Sequence, residues 1–418
     1  MTQKDWFSLH HWAGFHLSLL LSFILLTGTF ATISTDIDWL ANPSIRAEKH
    51  ITQKQNLDWP ALLNSVNKNV PEAQILSIHR PPMPWHNIEV IARDSQGERF
   101  RVYLDAYTHK IKGQGRWLNW QRLFRQVHRH LMLETQLGIT IVGLFGLVMF
   151  FIFITSIYTY RHWWRYFFSF KRINWPSNSS QIKVKSKAAG KKRKFWSELH
   201  KIVGLWSMWF LLVISITGVW YLIERWGGAA RYDDIVKTTV AHQSERHAQP
   251  SPLALSNTIQ YMRDNYPKYV INQIRFITKK NIIEIAGQEH AILVRDRANN
   301  KIFDAFSGDY LGGIKGEDLN WHFRISEAAD PLHFGTFSNW VYRYVWFGFG
   351  LALSLLSLTG VYMYLLRLRQ TNALITLDNI SSLRILWTKS HWVKWPSIAL
   401  ILACSYLIIC DFLIPIIN

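Results

Sequence analysis

The chain has 418 residues, of which 49% are apolar and only 18% charged, and the apolar ones are gathered into blocks. A net charge of +19 would suit a nucleic-acid binder, but its concentration beside apolar blocks points to a membrane protein and excludes nucleic acid as a partner. No C-x-x-C-H, C-x-x-C, G-x-G-x-x-G or Walker sequence is present, so motifs for covalent haem, cysteine-bound zinc and nucleotide are absent.

In chain order, Trp12 to Ser34, Thr135 to Tyr160, Ile202 to Ile223 and Tyr344 to Leu366 each run without Asp, Glu, Lys or Arg. Each is as long as the ~20 residues a helix needs to cross the hydrocarbon core, which predicts four crossings. The first is too long for a signal peptide and lacks a small-residue cleavage site, so it is read as a retained anchor. A fifth apolar block, 395–418, contains Pro396, Asp411 and Pro415, and both a full span and an interfacial helix stay open for it. Cys404 and Cys410 lie in it, ~9 Å apart along a helix and beyond disulfide reach.

Eleven Lys and Arg lie between Arg161 and Lys194 with no acidic residue among them. Short basic loops stay in the cytoplasm, which sets the N-terminus there and the segments 35–127 and 227–331 outside. In a bacterium this is the inner membrane with two periplasmic segments. The predicted organisation is the first span within 1–34, an outer domain 35–127, a second span 128–162, a basic linker 163–198, a third span 199–226, an outer domain 227–331, a fourth span 332–368, a cytoplasmic loop 369–394 and the C-terminal helix.

The chain also repeats itself. "LHHWAGFHLSLLLSFILLTG" at 9–28 and "LHKIVGLWSMWFLLVISITG" at 199–218 share the Leu-His pair, the Gly four residues on and the Thr-Gly pair. "VYLDAYTHKIKG" at 102–113 matches "IFDAFSGDYLGG" at 302–313, and "LNW" recurs at 118–120 and 319–321. The second and fourth spans leave through "TSIYTY" at 155–160 and "TGVYMY" at 359–364. Each half reads as helix, small α+β domain, helix, and two parallel copies predict a four-helix bundle with equivalent residues facing each other.

That symmetry pairs four histidines: His10 with His200 at the cytoplasmic end, and His128 with His333, within one residue, at the outer end. Two neutral imidazoles on opposite sides of a flat ring are what bis-histidine haem requires, and intramembrane ionisable groups are functional by default. His11 aligns with Lys201 and His16 with Trp206, so neither has a partner, and His130 points to another helix face than His128. His162 and His391 fall in the basic cytoplasmic region, where a solvated or propionate-contacting role is expected. Gly14, Gly204, Gly146 and Gly350 either admit a porphyrin or pack helices closely. Arg129 and Lys201 either neutralise propionates or mark the interface. A straight helix sets His10 ~26 Å from Thr27, a depth that one haem cannot cover and two can.

The "LHHWAGF" and "LHKIVGL" starts, each with its later Thr-Gly, and the two "LDAYTHKIKG"-like closures resemble the PepSY-associated transmembrane proteins, the PiuB-like group that includes the FoxB siderophore reductase. The likeness covers nearly all of residues 5 to 368. The family's Leu-His-Arg-Trp-x-Gly pattern appears with His11 in the Arg position and, in the second copy, Ile202 in the Trp position; His109 stands where the closing turn usually has Gly, as Gly308 does. The resemblance implies periplasmic PepSY domains and two b-type haems that carry electrons outward to reduce ferric siderophores. The donor is membrane quinol or a cytoplasmic reductase. Two rival readings stand beside this one. In the first the PepSY domains are binding or inhibitory modules on a non-enzymatic anchor; in the second the haems serve another acceptor, such as copper, a quinone or a sulfur oxide.

Overall fold

The computed structural model describes residues 1–52, 55–160, 163–167, 185–230, 251–337, 339–371, 384 and 387–417. His162, His242, His247 and residues 168–184 of the basic linker lie outside the described residues. The chain divides into a membrane unit (1–33, 123–228 and 343–418) and a sheet unit (34–122 and 229–342).

The membrane unit begins with α1 (Gln3–His16), started by a capping box in which the Thr2 hydroxyl receives the Asp5 amide and the Asp5 carboxylate receives the Thr2 amide. The apolar run expected as one straight span is instead broken: α1 and α2 (Ser18–Thr32) meet at 71° around Leu17. His10 therefore lies beyond a bend, and the ~26 Å rise that a straight helix would give between His10 and Thr27 does not hold. The physical reason is visible at the joint. The ring of His16 is bonded to the Trp12 carbonyl at 3.0 Å and the Ser18 hydroxyl to the Phe15 carbonyl at 2.7 Å, so side chains compete for the backbone acceptors there.

Three long helices follow: α6 (Thr135–Thr159), α7 (Lys185–Ile223) and α10 (Val341–Thr371). Among the described residues four helices are long and apolar enough to span a membrane, or five if the bent pair counts as one. The C-terminal block is one of the four, since His391–Ile416 continues helically through Asp411, and its first segment, α11 (Lys394–Ile408), packs on α2. Cys404 is fully buried and both cysteines are free thiols.

Small residues let these helices close on one another. A Cβ on Gly146 would lie 3.0 Å from the Gly218 backbone, joining α6 to α7, and one on Gly350 would lie 2.8 Å from the Thr29 hydroxyl, joining α10 to α2. Gly146 and Gly350 are thus helix-packing glycines. Ser22 bonds Ser357 at 2.8 Å and Arg343 donates to the Thr32 carbonyl at 2.7 Å, again between α2 and α10. Trp209, Phe210, Trp346 and Phe349 interlock edge to face between α7 and α10.

In the sheet unit, α4 (Trp59–Asn69) is capped by Asp58 and enters through Pro60, and α8 (Pro252–Asn265) likewise enters through a proline. Their apolar faces, including Leu62, Leu63, Val66, Leu255 and Ile259, cover one face of a sheet. Among the described residues eight strands compose it: β1 (Gln74–His79), β2 (Ile88–Arg93), β3 (Arg99–Leu104), β4 (Ile111–Arg116), β5 (Val270–Ile277), β6 (Ile282–Gln288), β7 (Lys301–Asp304) and β8 (Tyr310–Gly313). Their order is β4-β3-β2-β1-β5-β6-β7-β8. The two expected α+β domains are therefore one sheet over one core, because their first strands pair edge to edge and so leave neither edge unsatisfied. Ile78 lies opposite Ile274, with Ser77 opposite Arg275 and His79 opposite Gln273.

On the sheet's other face Glu89 pairs with Arg101, and Glu284 with Arg275. His79 bonds Ser77 at 2.7 Å, and burial pushes its pKa down. Asp38 on α3 (Ser34–Ala41) receives the Trp120 and Gln121 amides at 2.8 and 3.0 Å, which starts α5 (Trp120–His130); burial pushes its pKa up to about 6. Helix α9 (Trp321–Phe334) is held by Arg295, whose guanidinium grips both Glu327 and Asp330.

Candidate functional site

His10 sits on α1, which is seated on the end of α6 by Trp6 stacked on Tyr158 at 4.5 Å and by Gln3 donating to the Thr159 carbonyl at 2.8 Å. Its Nδ1 lies 3.1 Å from the Thr155 hydroxyl and 3.4 Å from that of Ser156. Both hydroxyls already donate to the Ile152 carbonyl, at 3.0 and 2.7 Å. Their protons are committed, so they accept from Nδ1–H, and Nε2 is left with its lone pair.

The same construction occurs at His200. Its Nδ1 is 3.0 Å from the Thr359 hydroxyl, which donates to the Leu356 carbonyl at 3.1 Å. Thr155 and Thr359 are the first residues of the two aligned exit sequences. The fold brings His10 and His200 within electrostatic range of one another.

His128, in the last turn of α5, places Nδ1 3.0 Å from the Ile24 carbonyl. A carbonyl only accepts, so this ring too carries its proton on Nδ1 and its lone pair on Nε2. The Thr27 hydroxyl donates to the same carbonyl at 3.0 Å. Gly28 explains the Thr-Gly pair: a Cβ there would lie 2.6 Å from Cε1 of the imidazole, so only glycine lets the ring approach α2. His333 occupies the last turn of α9, beside Phe334, with Gly335 in the left-handed conformation that ends the helix. It belongs to the sheet unit and His128 to the membrane unit.

The other histidines have different surroundings. His11 lies among Phe7, Phe15 and Tyr364, with a buried Nε2 that has no hydrogen-bond partner among the described residues. His16 stacks on His391 at 5.9 Å, and His391 is held at φ 50°. His130 bonds the Leu133 carbonyl at 3.0 Å, closing a turn in which Leu131 and Met132 are both left-handed. Lys201 is paired with Glu198 at 3.1 Å.

Among the described residues no group of three or more His, Cys, Asp or Glu is placed to hold a metal ion. Paired imidazoles suit a metal whose equatorial donors come from a macrocycle, and the residues fit haem. Three Nε2 lone pairs are set by hydrogen bonds on the opposite ring nitrogen, the usual outer-shell support of a metal-ligating histidine. Beside His10, a Cβ on Gly14 would meet nothing within 4 Å, and beside His200 one on Gly204 would meet only Leu356 at 4.0 Å. These two glycines face open space, unlike Gly146 and Gly350. Sequence reasoning named the histidines and overlooked their partners; the recurrence of Thr155 and Thr359 at matching places was the available signal.

The profile of the PepSY-associated TM region family, PepSY_TM, matches residues 7–367, and the chain belongs to that family. No curated protein matches the chain.

Proposed function

We propose that this PepSY-associated membrane protein is a bacterial inner-membrane electron-transfer protein holding two haems b, and that it reduces ferric siderophores in the periplasm for iron acquisition. The observation that carries this reading is the tautomer shared by His10, His200 and His128, each with Nδ1 bonded to an acceptor and Nε2 left as a lone-pair donor. Bound haem supplies one-electron relay chemistry in a low-dielectric setting.

The chain's residues bind and orient. His10 and His200 would hold one haem at the cytoplasmic end, and His128 and His333 would hold the other at the outer end. Thr155 and Thr359 fix ring rotation and raise the basicity of Nε2. Electrons enter from a membrane quinol or a cytoplasmic reductase. At the far side ferric iron gains one electron, and the hard oxygen donors that grip Fe3+ hold Fe2+ less firmly. No protein acid or base is assigned to the electron step.

The test is a purified, detergent-solubilised sample. Two haems per chain are expected, with a visible spectrum that changes on dithionite addition and returns when ferric siderophore is mixed in anaerobically. A colourless protein, or one indifferent to dithionite, overturns the reading and favours a non-enzymatic PepSY anchor. Reoxidation by copper, a quinone or a sulfur oxide but not by ferric siderophores keeps the haems and replaces the acceptor.

A further inference from the structure

The two halves of the sheet unit differ at one place in a way that the electron-transfer reading does not use. Between α4 and the β3–β4 turn lies a solvent-open groove of about 730 Å³, lined by Ser65, Lys68, Asn69, His109, Lys110 and Gln114 among others. Matching the last residues of α4 and α8, Asn69 and Asn265, and the turn acids Asp105 and Asp304, the corresponding positions of the other half hold tyrosines: Tyr261 for Ser65, Tyr266 for Val70 and Tyr310 for Ile111. Tyr261 stacks on Tyr310 at 5.1 Å, and the hydroxyls of Tyr266 and Tyr310 meet at 3.5 Å. The cavity exists because three rings are missing.

Charge diverges at the same place. Lys68 aligns with Asp264 and Lys110 with Asp309. None of the described residues lining the groove is acidic. Neither lysine has an ion-pair partner among the described residues. The nearby Asp105 carboxylate is turned into its own loop, where it receives the Tyr107 and Thr108 amides at 3.0 and 2.8 Å.

The backbone adds a third observation. His109 is held at φ 57°, where its counterpart Gly308 sits at φ 81° without a side chain to object. A side-chain-bearing residue in that region costs roughly 1–2 kcal/mol. The Ser65 hydroxyl, donating to the His109 carbonyl at 2.6 Å, secures the arrangement and brings an imidazole to the groove wall. Strained residues of this kind concentrate at binding sites.

From the vacated volume, the reversed charge and the strained histidine, we infer that the groove binds a small polyanion carrying carboxylate or phosphate groups. Lys68 and Lys110 supply the charge, and Asn69, Gln114 and His109 supply neutral polar groups for its oxygens.

The test is calorimetric titration of citrate and of orthophosphate into the full chain in detergent at low ionic strength. Saturable one-to-one binding of at least one is expected, and the tighter of the two tells carboxylate from phosphate. Lys68→Asp and Lys110→Asp, both at exposed positions, should each weaken binding about tenfold or more. Ser65→Tyr should abolish binding with both lysines in place, because it refills the groove as Tyr261 does. Asp264→Lys, in the filled half, should leave affinity unchanged. Absence of saturable binding by both anions, affinity indifferent to the two lysine reversals, or wild-type affinity in a folded Ser65→Tyr protein would each overturn the proposal.

Discussion

The halves of this chain agree in the membrane unit and disagree on the surface of the sheet unit. His10 with Thr155 and His200 with Thr359 are the same construction at aligned positions, down to hydroxyls already committed to a carbonyl three residues back. Lys68 and Asp264 occupy aligned positions with opposite charge, one beside an open groove and the other beside packed tyrosines. Two imidazoles serving one ring need matched geometry from both sides, so a change in either spoils the site. Nothing couples the two outer surfaces in that way, and each is free to acquire its own chemistry.

His200→Ala should remove one haem site whole, leaving about half the haem of the parent, and His333→Ala should remove the other. Unchanged haem content in either variant would refute the pairing to which that residue is assigned. Gly28→Ala sets a methyl 2.6 Å from the His128 ring and should displace it, with loss of the outer haem and an intact inner one by difference spectroscopy.

The sheet unit should show its own pH dependence. Burial raises Asp38 from 3.8 to about 6, so the folded state favours its protonated form. This contribution is complete below pH ~4 and is lost as pH rises through ~6, an effect of about 3 kcal/mol. Asp38→Asn should flatten the difference in denaturant stability between pH 4 and pH 7.5. Smaller still, Thr359→Val leaves the His200 Nδ1–H without its acceptor, whereas Thr155→Val leaves that of His10 with the Ser156 hydroxyl at 3.4 Å. A hydrogen bond worth ~1 kcal/mol translates to roughly 40 mV in midpoint potential for one electron. The larger shift is expected for Thr359→Val, since Gly360 has no hydroxyl where the other half has Ser156; an unmoved potential in that variant would refute the role given to Thr359.

The apolar blocks, the duplication and the four histidines at matching places in its halves are legible in the sequence, because hydrophobic run length and aligned motifs are local properties that need no coordinates. The sequence also exposed His109 in a glycine's place, though not the reason that the position tolerates it. The rest depends on contacts between segments far apart in the chain. The bend at Leu17 turns on side-chain bonds to the Trp12 and Phe15 carbonyls, which hydropathy does not register. The fusion of two expected domains into one sheet depends on two strand edges finding each other across about 200 residues of chain, a pairing of backbone groups that any apolar strand could make. The role of Gly28 and the tautomers of three histidines rest on approaches of about 3 Å between helices distant in sequence. Such contacts follow from how helices pack, and no spacing along one helix encodes them.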